Sequence, residues 1–232
     1  VKVGIMQPYF VPYIGYWQLI NAVDKYVVYD DVNYIKGGWI NRNRILMNGE
    51  AKMISLKVSG ASPNRLISEI GLMDDQVYKS KLLRTIDQCY KKAPYYSSVY
   101  PLVEEIIGSY EDKLSHYLTN SMKIISGYLG ITTEFLISSQ INIGTGLKGE
   151  ERIIKICKNL DASEYYNAIG GISLYSHETF RSNGLGLEFL RTDPIEYYQL
   201  GNQFVPNLSI IDVMMFNSKI ECKELLDAFM LV

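Results

Sequence analysis

The spacing of apolar positions changes along the chain, and each change predicts an element. Lys2-Val-Gly-Ile-Met-Gln7 is a short apolar run stopped by Pro8 and reads as a buried strand. Ile14 to Ala22 follows as a short helix, and Lys25-Tyr-Val-Val-Tyr29 as a second strand. A strand, a helical connection and another apolar strand begin a βαβ unit, whose sheet is parallel. Arg44 to Lys57 has two β-rich arms around Asn48-Gly49, the dipeptide favoured where both turn positions need positive φ, and predicts a hairpin. Helical spacing then runs over Asp74 to Lys91, Leu102 to Ile107 and Leu114 to Leu129, with Pro94 and Gly130 as stops. Strand character returns at Thr132 to Ile137, and Glu150 to Leu160 is helical. Glu164 to Asn167 is a strand, Leu174 to Asn183 a helix closed by Gly184, and Leu187 to Leu190 a strand. Two last helices are expected over Leu208 to Phe216 and Glu221 to Phe229. With no repeat and no long linker, residues 1–232 read as a single α/β domain. Its expected architecture is a mainly parallel Rossmann-like sheet with flanking helices, a β-hairpin near 44–57 and a helical insertion near 75–130.

Composition narrows the classes. At 47% hydrophobic and 21% charged, the 232 residues exclude a disordered, collagenous or low-complexity chain. A formal charge of −2 argues against a protein that wraps long nucleic acid by bulk positive charge. The cysteines Cys89, Cys157 and Cys222 are far apart and odd in number, which fits a cytoplasmic protein without a closed disulfide set. No apolar run is long enough to span a bilayer, and the chain starts on a strand pattern, so neither a membrane span nor a signal peptide is expected. His116 and His177 are its two histidines, and no metal site is expected. Nineteen tyrosines against seven phenylalanines is the anomaly: where a core needs only a ring, Phe serves, whereas Tyr adds a hydroxyl that seeks a partner. Tyr9, Tyr13, Tyr16, Tyr29, Tyr34 and Tyr175 are expected in or beside ligand loops, and Tyr95, Tyr96, Tyr110, Tyr117 and Tyr128 in the packing of the insertion.

The polar signal concentrates at predicted strand ends. Gln7-Pro-Tyr-Phe-Val-Pro-Tyr-Ile-Gly-Tyr16 is the first βα connection, with Gly15 beside its tyrosines. In open α/β sheets ligands bind outside the carboxyl ends of the strands, where a helix N-terminus offers free N–H groups, so this loop is the first candidate site. A turn merely stiffened by Pro8 and Pro12 is the alternative. Asp30-Asp31 ends the second strand and serves either as general base or as a turn cap. From Lys36 to Arg65 six basic residues face one acid, a local balance of +5. Within it, Lys36, Trp39, Asn41, Arg42 and Arg44 suit a loop that clamps phosphate while the indole stacks on a base or sugar, with solvated loop charge as the alternative. Ser138-Ser139 and the turn Gly144-Thr-Gly-Leu-Lys148 precede a helix and form a weaker phosphate candidate through Ser139 and Lys148. Asn167-Ala-Ile-Gly170-Gly171 and Tyr175 repeat the geometry at a third place, with His177 behind them as a candidate acid or base.

Six blocks together resemble the WbqC-like family: Ile5-Met-Gln-Pro-Tyr-Phe-x-Pro-Tyr-Ile-Gly-Tyr16, Tyr29-Asp-Asp31, Gly38-Trp-Ile-Asn-Arg-Asn-Arg44, Leu147-Lys-Gly149, Gly170-Gly-x-x-Leu-Tyr175 and Leu208-Ser-Ile-Ile-Asp-Val-Met-Met-Phe216. Members sit among bacterial genes for O-antigen and other surface polysaccharides. The resemblance implies a nucleotide-linked 4-amino-4,6-dideoxy sugar, a dTDP-sugar, as partner and N-acyl or aminoacyl transfer, glycyl included, as the reaction. The acyl donor would be acyl-CoA, an aminoacyl-tRNA, or ATP with an amino acid. Asp30, Asp31 or His177 would take the proton from the sugar ammonium, because an amine attacks only when neutral. A non-catalytic sugar-nucleotide binding or scaffold protein is one rival, and an ATP-dependent amide ligase or nucleotidyltransferase is the other.

A fainter similarity, in loop placement, is to the H-x-G-H nucleotidyltransferases and ligases. Tyr13 and Tyr16 stand where those enzymes have histidines, and a neutral phenol donates to phosphate but brings no positive charge.

Overall fold

The computed structural model describes residues 1–143, 146–201 and 203–232, so the predicted turn at Gly144 and Thr145 lies outside the described residues. Its centre is β1 (Lys2–Met6), followed by α1 (Ile14–Asn21) and β2 (Lys25–Val28). Three pairs come next: β3 (Arg42–Met47) with β4 (Glu50–Ser55), then the short β5 (Val58–Ser59) with β6 (Gly71–Leu72), and the helices α2 (Gln76–Tyr90) and α3 (Tyr96–Gly108). After these come α4 (Leu114–Leu129), β7 (Glu134–Ile137), α5 (Gly149–Asn159), β8 (Glu164–Ala168), α6 (His177–Ser182), β9 (Gly186–Thr192), α7 (Ile210–Phe216), α8 (Lys219–Asp227) and β10 (Phe229–Leu231).

The main sheet has the order β10-β9-β8-β1-β2-β7, parallel throughout except for β10. Alternation along β1 sends Val3 and Ile5 to one face, where they join Phe180, Leu187 and Phe189 beneath α5 and α6. The opposite face carries Tyr26 and Val28 against α1, and this core continues through α2, α3 and α4 into α7 and α8. Each fully buried aliphatic or aromatic side chain there contributes about 1.5–3 kcal/mol. Helices cover both faces, which is why the central strands read as nearly continuous apolar runs.

The hairpin forms around Asn48 at φ 53° and Gly49 at φ 79°, the positive angles its sequence demands. Gly130 closes α4 in the left-handed region at φ 73°, as expected of a helix-ending glycine. Two expectations need correction. Phe229 does not end the last helix: Phe229–Leu231 turns back as a strand, antiparallel to β9, because the open edge of the sheet offers Leu190 to Thr192 as partners. The helix expected to begin at Leu102 begins at Tyr96 and runs through Pro101, which gives up one hydrogen bond to the Ser97 carbonyl while Val99, Val103, Ile106 and Ile107 hold the helix in the core.

From β1 the order runs one way through β2 and β7 and the other way through β8 and β9. The order therefore reverses between β1 and β8, and the carboxyl ends flanking that point carry the Gln7–Tyr13 loop, residues after Ala168 and residues after Thr192.

Candidate functional site

The β1–α1 loop is fixed by buried donors. Val11 has φ 38°, a left-handed conformation that a β-branched residue adopts only when its surroundings impose it. Asn43 Nδ2 donates to the carbonyls of Phe10 (2.9 Å) and Val11 (3.1 Å), and Ser209 Oγ donates to Val11 at 2.7 Å. Trp17 Nε1 and the Ile210 N–H both donate to the Pro12 carbonyl, at 3.0 and 2.9 Å. Gly15 completes the arrangement by omission: a Cβ there would lie 2.6 Å from the Tyr13 ring and 2.5 Å from Thr192 Oγ1. The missing side chain is the space that Tyr13 occupies.

This scaffold holds a cavity of about 320 Å³ lined by Tyr9, Pro12, Tyr13, Trp39, Asn43, Arg44 and Asn207. The Arg44 guanidinium lies over the Trp39 ring, 5.3 Å from its centroid, and donates to the Asn207 carbonyl at 3.2 Å. Its buried Nε has no partner in the protein. A stacked guanidinium with unused donor capacity suits a phosphate or carboxylate, and the aromatic walls suit a ring. Burial pushes the phenols of Tyr9 and Tyr13 above their ordinary range, so both are neutral donors at physiological pH. The N-terminus of α1 follows Tyr13 without a side-chain cap.

Tyr13 and Asn207 also border a wider cavity of about 910 Å³. Arg191, Asp193 and Glu196 lie in its wall, together with Ile169, Thr192 and Phe204. Asp212 anchors the segment that closes this side. Its buried carboxylate accepts from Tyr90 (2.8 Å), Tyr197 (2.7 Å) and Gln199 (2.7 Å), while burial raises its pKa.

Asp30 and Asp31 form a different environment at the ends of β2 and β7. The Asp30 carboxylate, fully buried, accepts from Ser138 Oγ (3.2 Å), the Ser139 N–H (3.0 Å) and Ser139 Oγ (3.0 Å). Asp31 accepts from Ser138 Oγ at 2.6 Å and pairs with Arg152. With Ser139, Asp31 and Arg152 line a separate open cavity of about 550 Å³. Tyr29 lies under Arg152, and burial first, against the pull of that cation, pushes its phenol up to about 12.

A family model described as the WbqC-like protein family matches residues 7–224. The chain belongs to the WbqC-like family. It is also similar to an uncharacterized protein of Mycobacterium tuberculosis (strain ATCC 25618 / H37Rv), Rv1507c, with 27% identity over 227 residues, covering 97% of each chain. No solved structure matches. The WbqC-like match begins at Gln7, on the loop that lines the first cavity, and takes in both cavity-forming segments, 39–44 and 193–208.

Of the residues expected at a site, Tyr9, Tyr13, Trp39 and Arg44 come together around one cavity, and Gly15 makes room for it. Others support the scaffold. Tyr16 is buried and its hydroxyl donates to the Gln7 carbonyl at 2.8 Å. Asn41 accepts from Tyr34 at 2.7 Å and donates to Leu56, joining loop to hairpin. Arg42 turns back onto the carbonyls of Gly37 and Gly38. Lys36 and Lys148 are exposed, the latter at the N-cap of α5.

Asn167 donates to the Tyr165 hydroxyl at 2.7 Å, Tyr175 packs edge-on against Tyr165, and Gly171 lies against Asn167, where a Cβ would meet its side chain at 3.1 Å. Gly170 is exposed beside them, and His177 is exposed against Phe189 on the α5–α6 face. Sequence reasoning missed Asn43, Arg191, Asp193, Glu196 and Asn207. The Asn-Arg-Asn-Arg alternation held a clue to Asn43, since successive residues on a strand face opposite ways. Among the described residues no cluster of His, Cys, Asp and Glu could hold a metal, and no helix is long and apolar enough to cross a membrane.

Proposed function

We propose that this WbqC-like protein binds a nucleotide-linked 4-amino-4,6-dideoxy sugar across the two cavities joined at Tyr13, and transfers an acyl or aminoacyl group to the sugar amine in surface-polysaccharide biosynthesis. The observation that carries the reading is Arg44 stacked on Trp39 beside an uncapped helix N-terminus, with Tyr9 and Tyr13 opposite. In this reading the diphosphate meets Arg44 and the α1 N–H groups, and Trp39 or a tyrosine stacks on the base. The amine reaches past Tyr13 into the wider cavity, where Asp193 or Glu196 accepts its proton. The neutral nitrogen then attacks the acyl carbonyl; the new C–N bond forms as the bond to the donor's leaving group breaks. Asp30 and Asp31 are already engaged by Ser138, Ser139 and Arg152, and His177 faces the α5–α6 side, so they are the weaker candidates for this proton.

One observation favours a binding or scaffold protein instead: the carboxylates of Asp30 and Asp31, candidate general bases in the sequence, are occupied in holding two strand ends together. Incubation with dTDP-4-amino-4,6-dideoxyglucose and glycine plus ATP, acyl-CoA or charged tRNA, read by mass spectrometry, separates the readings. A sugar nucleotide heavier by the acyl mass supports the transferase. Product dependent on ATP cleavage identifies a ligase, and binding without turnover under every donor supports the scaffold.

A further inference from the structure

A fourth concavity is a groove that shares no lining residue with any of the three cavities described above. It measures about 510 Å³ and is bounded by the hairpin turn, the end of α2 and the segment at Leu200. Its polar wall consists of Asn48, Gln88, Lys91 and Lys92, and no carboxylate lines it. Leu46 and Leu200 supply apolar surface, and Cys89 is half-buried in the wall. Among the described residues neither of these lysines forms an ion pair. In a chain of net charge −2, two adjacent unpaired cations lining a concavity that no carboxylate borders make a local positive site. Lysines after a helix C-terminus complement its dipole, but that role needs neither a concavity nor the two amides beside it. The volume is that of a small-ligand site rather than a protein-docking face.

We infer that this groove binds an organic polyphosphate, its phosphates held by Lys91 and Lys92 and its less polar body lying on Leu46 and Leu200. The amides of Asn48 and Gln88 add neutral donors. This site is independent of the sugar-nucleotide reading.

The protein carries its own reporter. Cys89 lines the groove, whereas Cys157 and Cys222 are buried, and burial pushes their thiols up to about 12. Maleimide alkylation followed by peptide mass spectrometry therefore reads Cys89. ATP at ten times its Kd should slow alkylation about tenfold relative to sodium chloride of equal ionic strength, since the rate follows the unoccupied fraction. Tripolyphosphate should protect at higher concentration, because it lacks a body for the apolar surface. The combined Lys91→Ala and Lys92→Ala variant should lose protection, with each single variant weakening it should the combined one fold poorly. Arg44→Ala should keep protection. Equal rates with and without ATP, protection that survives loss of the lysines, or protection lost in Arg44→Ala would each overturn the assignment.

Discussion

Two polar clusters end the parallel strands of the same sheet and are built in opposite ways. At β2 and β7, Asp30 accepts from both serines and Asp31 is shared between Ser138 and Arg152. At the β1–α1 loop the hydrogen bonds are spent one layer further back, on main-chain carbonyls, and Arg44, which faces the cavity with Tyr9, Tyr13 and Trp39, keeps a buried Nε without a partner. A dense charged motif is thus not by itself a binding site. What distinguishes a site is which donors and acceptors the fold leaves open after satisfying its own.

The contrast can be broken by substitution. Asp30→Ala takes the acceptor from the Ser139 N–H and Oγ, while Ser138 Oγ keeps Asp31, and should lower unfolding stability by about 1–3 kcal/mol in urea titration, the range for donors left without a partner. A stable Asp30→Ala protein that has lost sugar-nucleotide affinity would reverse the roles assigned to the two clusters. Arg44→Ala should do the opposite, weakening sugar-nucleotide binding in calorimetry by about 1.5–3 kcal/mol with little change in stability. Arg42→Ala, which frees the Gly37 and Gly38 carbonyls, should weaken binding less than Arg44→Ala; equal losses would mean that Arg42 also meets ligand. Trp39→Ala removes the stacking partner and should cost about 0.5–2 kcal/mol of affinity.

The smallest effect concerns pH. Asp212 has its pKa raised in the folded state by burial, so above the ordinary carboxylate value near 4 the folded chain holds a proton that the unfolded chain has lost. Its contribution therefore falls as pH rises from about 4 towards the raised value. The stability gap between the wild-type protein and Asp212→Asn, read by urea titration at several pH values, should move in the Asn variant's favour over that window. A gap that does not change with pH would place the Asp212 carboxylate at its ordinary value.

Much of the fold is legible because local rules and tertiary packing agree. Asn48-Gly49 admits few other turns, and the apolar runs of β1 and β2 suit a sheet covered on both faces. Local rules failed where a distant partner decides. Phe229–Leu231 is a strand because β9 has a free edge, and nothing within those three residues announces it. The site was half legible for the same reason. The tyrosines and Trp39 stood out by type, but Asn43 acts through Val11, 32 positions away, and Asn207 joins the cavity from near the other end of the chain. The expected division of the tyrosines also shifts. Tyr16 and Tyr34 are buried, whereas Tyr9 and Tyr13 line the cavity.

Tyr13 is the wall common to the two adjoining cavities, and its position depends on the hydrogen atom that Gly15 carries in place of a side chain. Position 13 thereby acts as a length gauge. A smaller residue there would merge a compartment of about 320 Å³ with one of about 910 Å³, and a Cβ at position 15 would force the same ring out of place. The size of molecule the chain accepts is thus set at residues 13 and 15, outside both cores, with Thr192 at the end of β9 as their neighbour in the sheet.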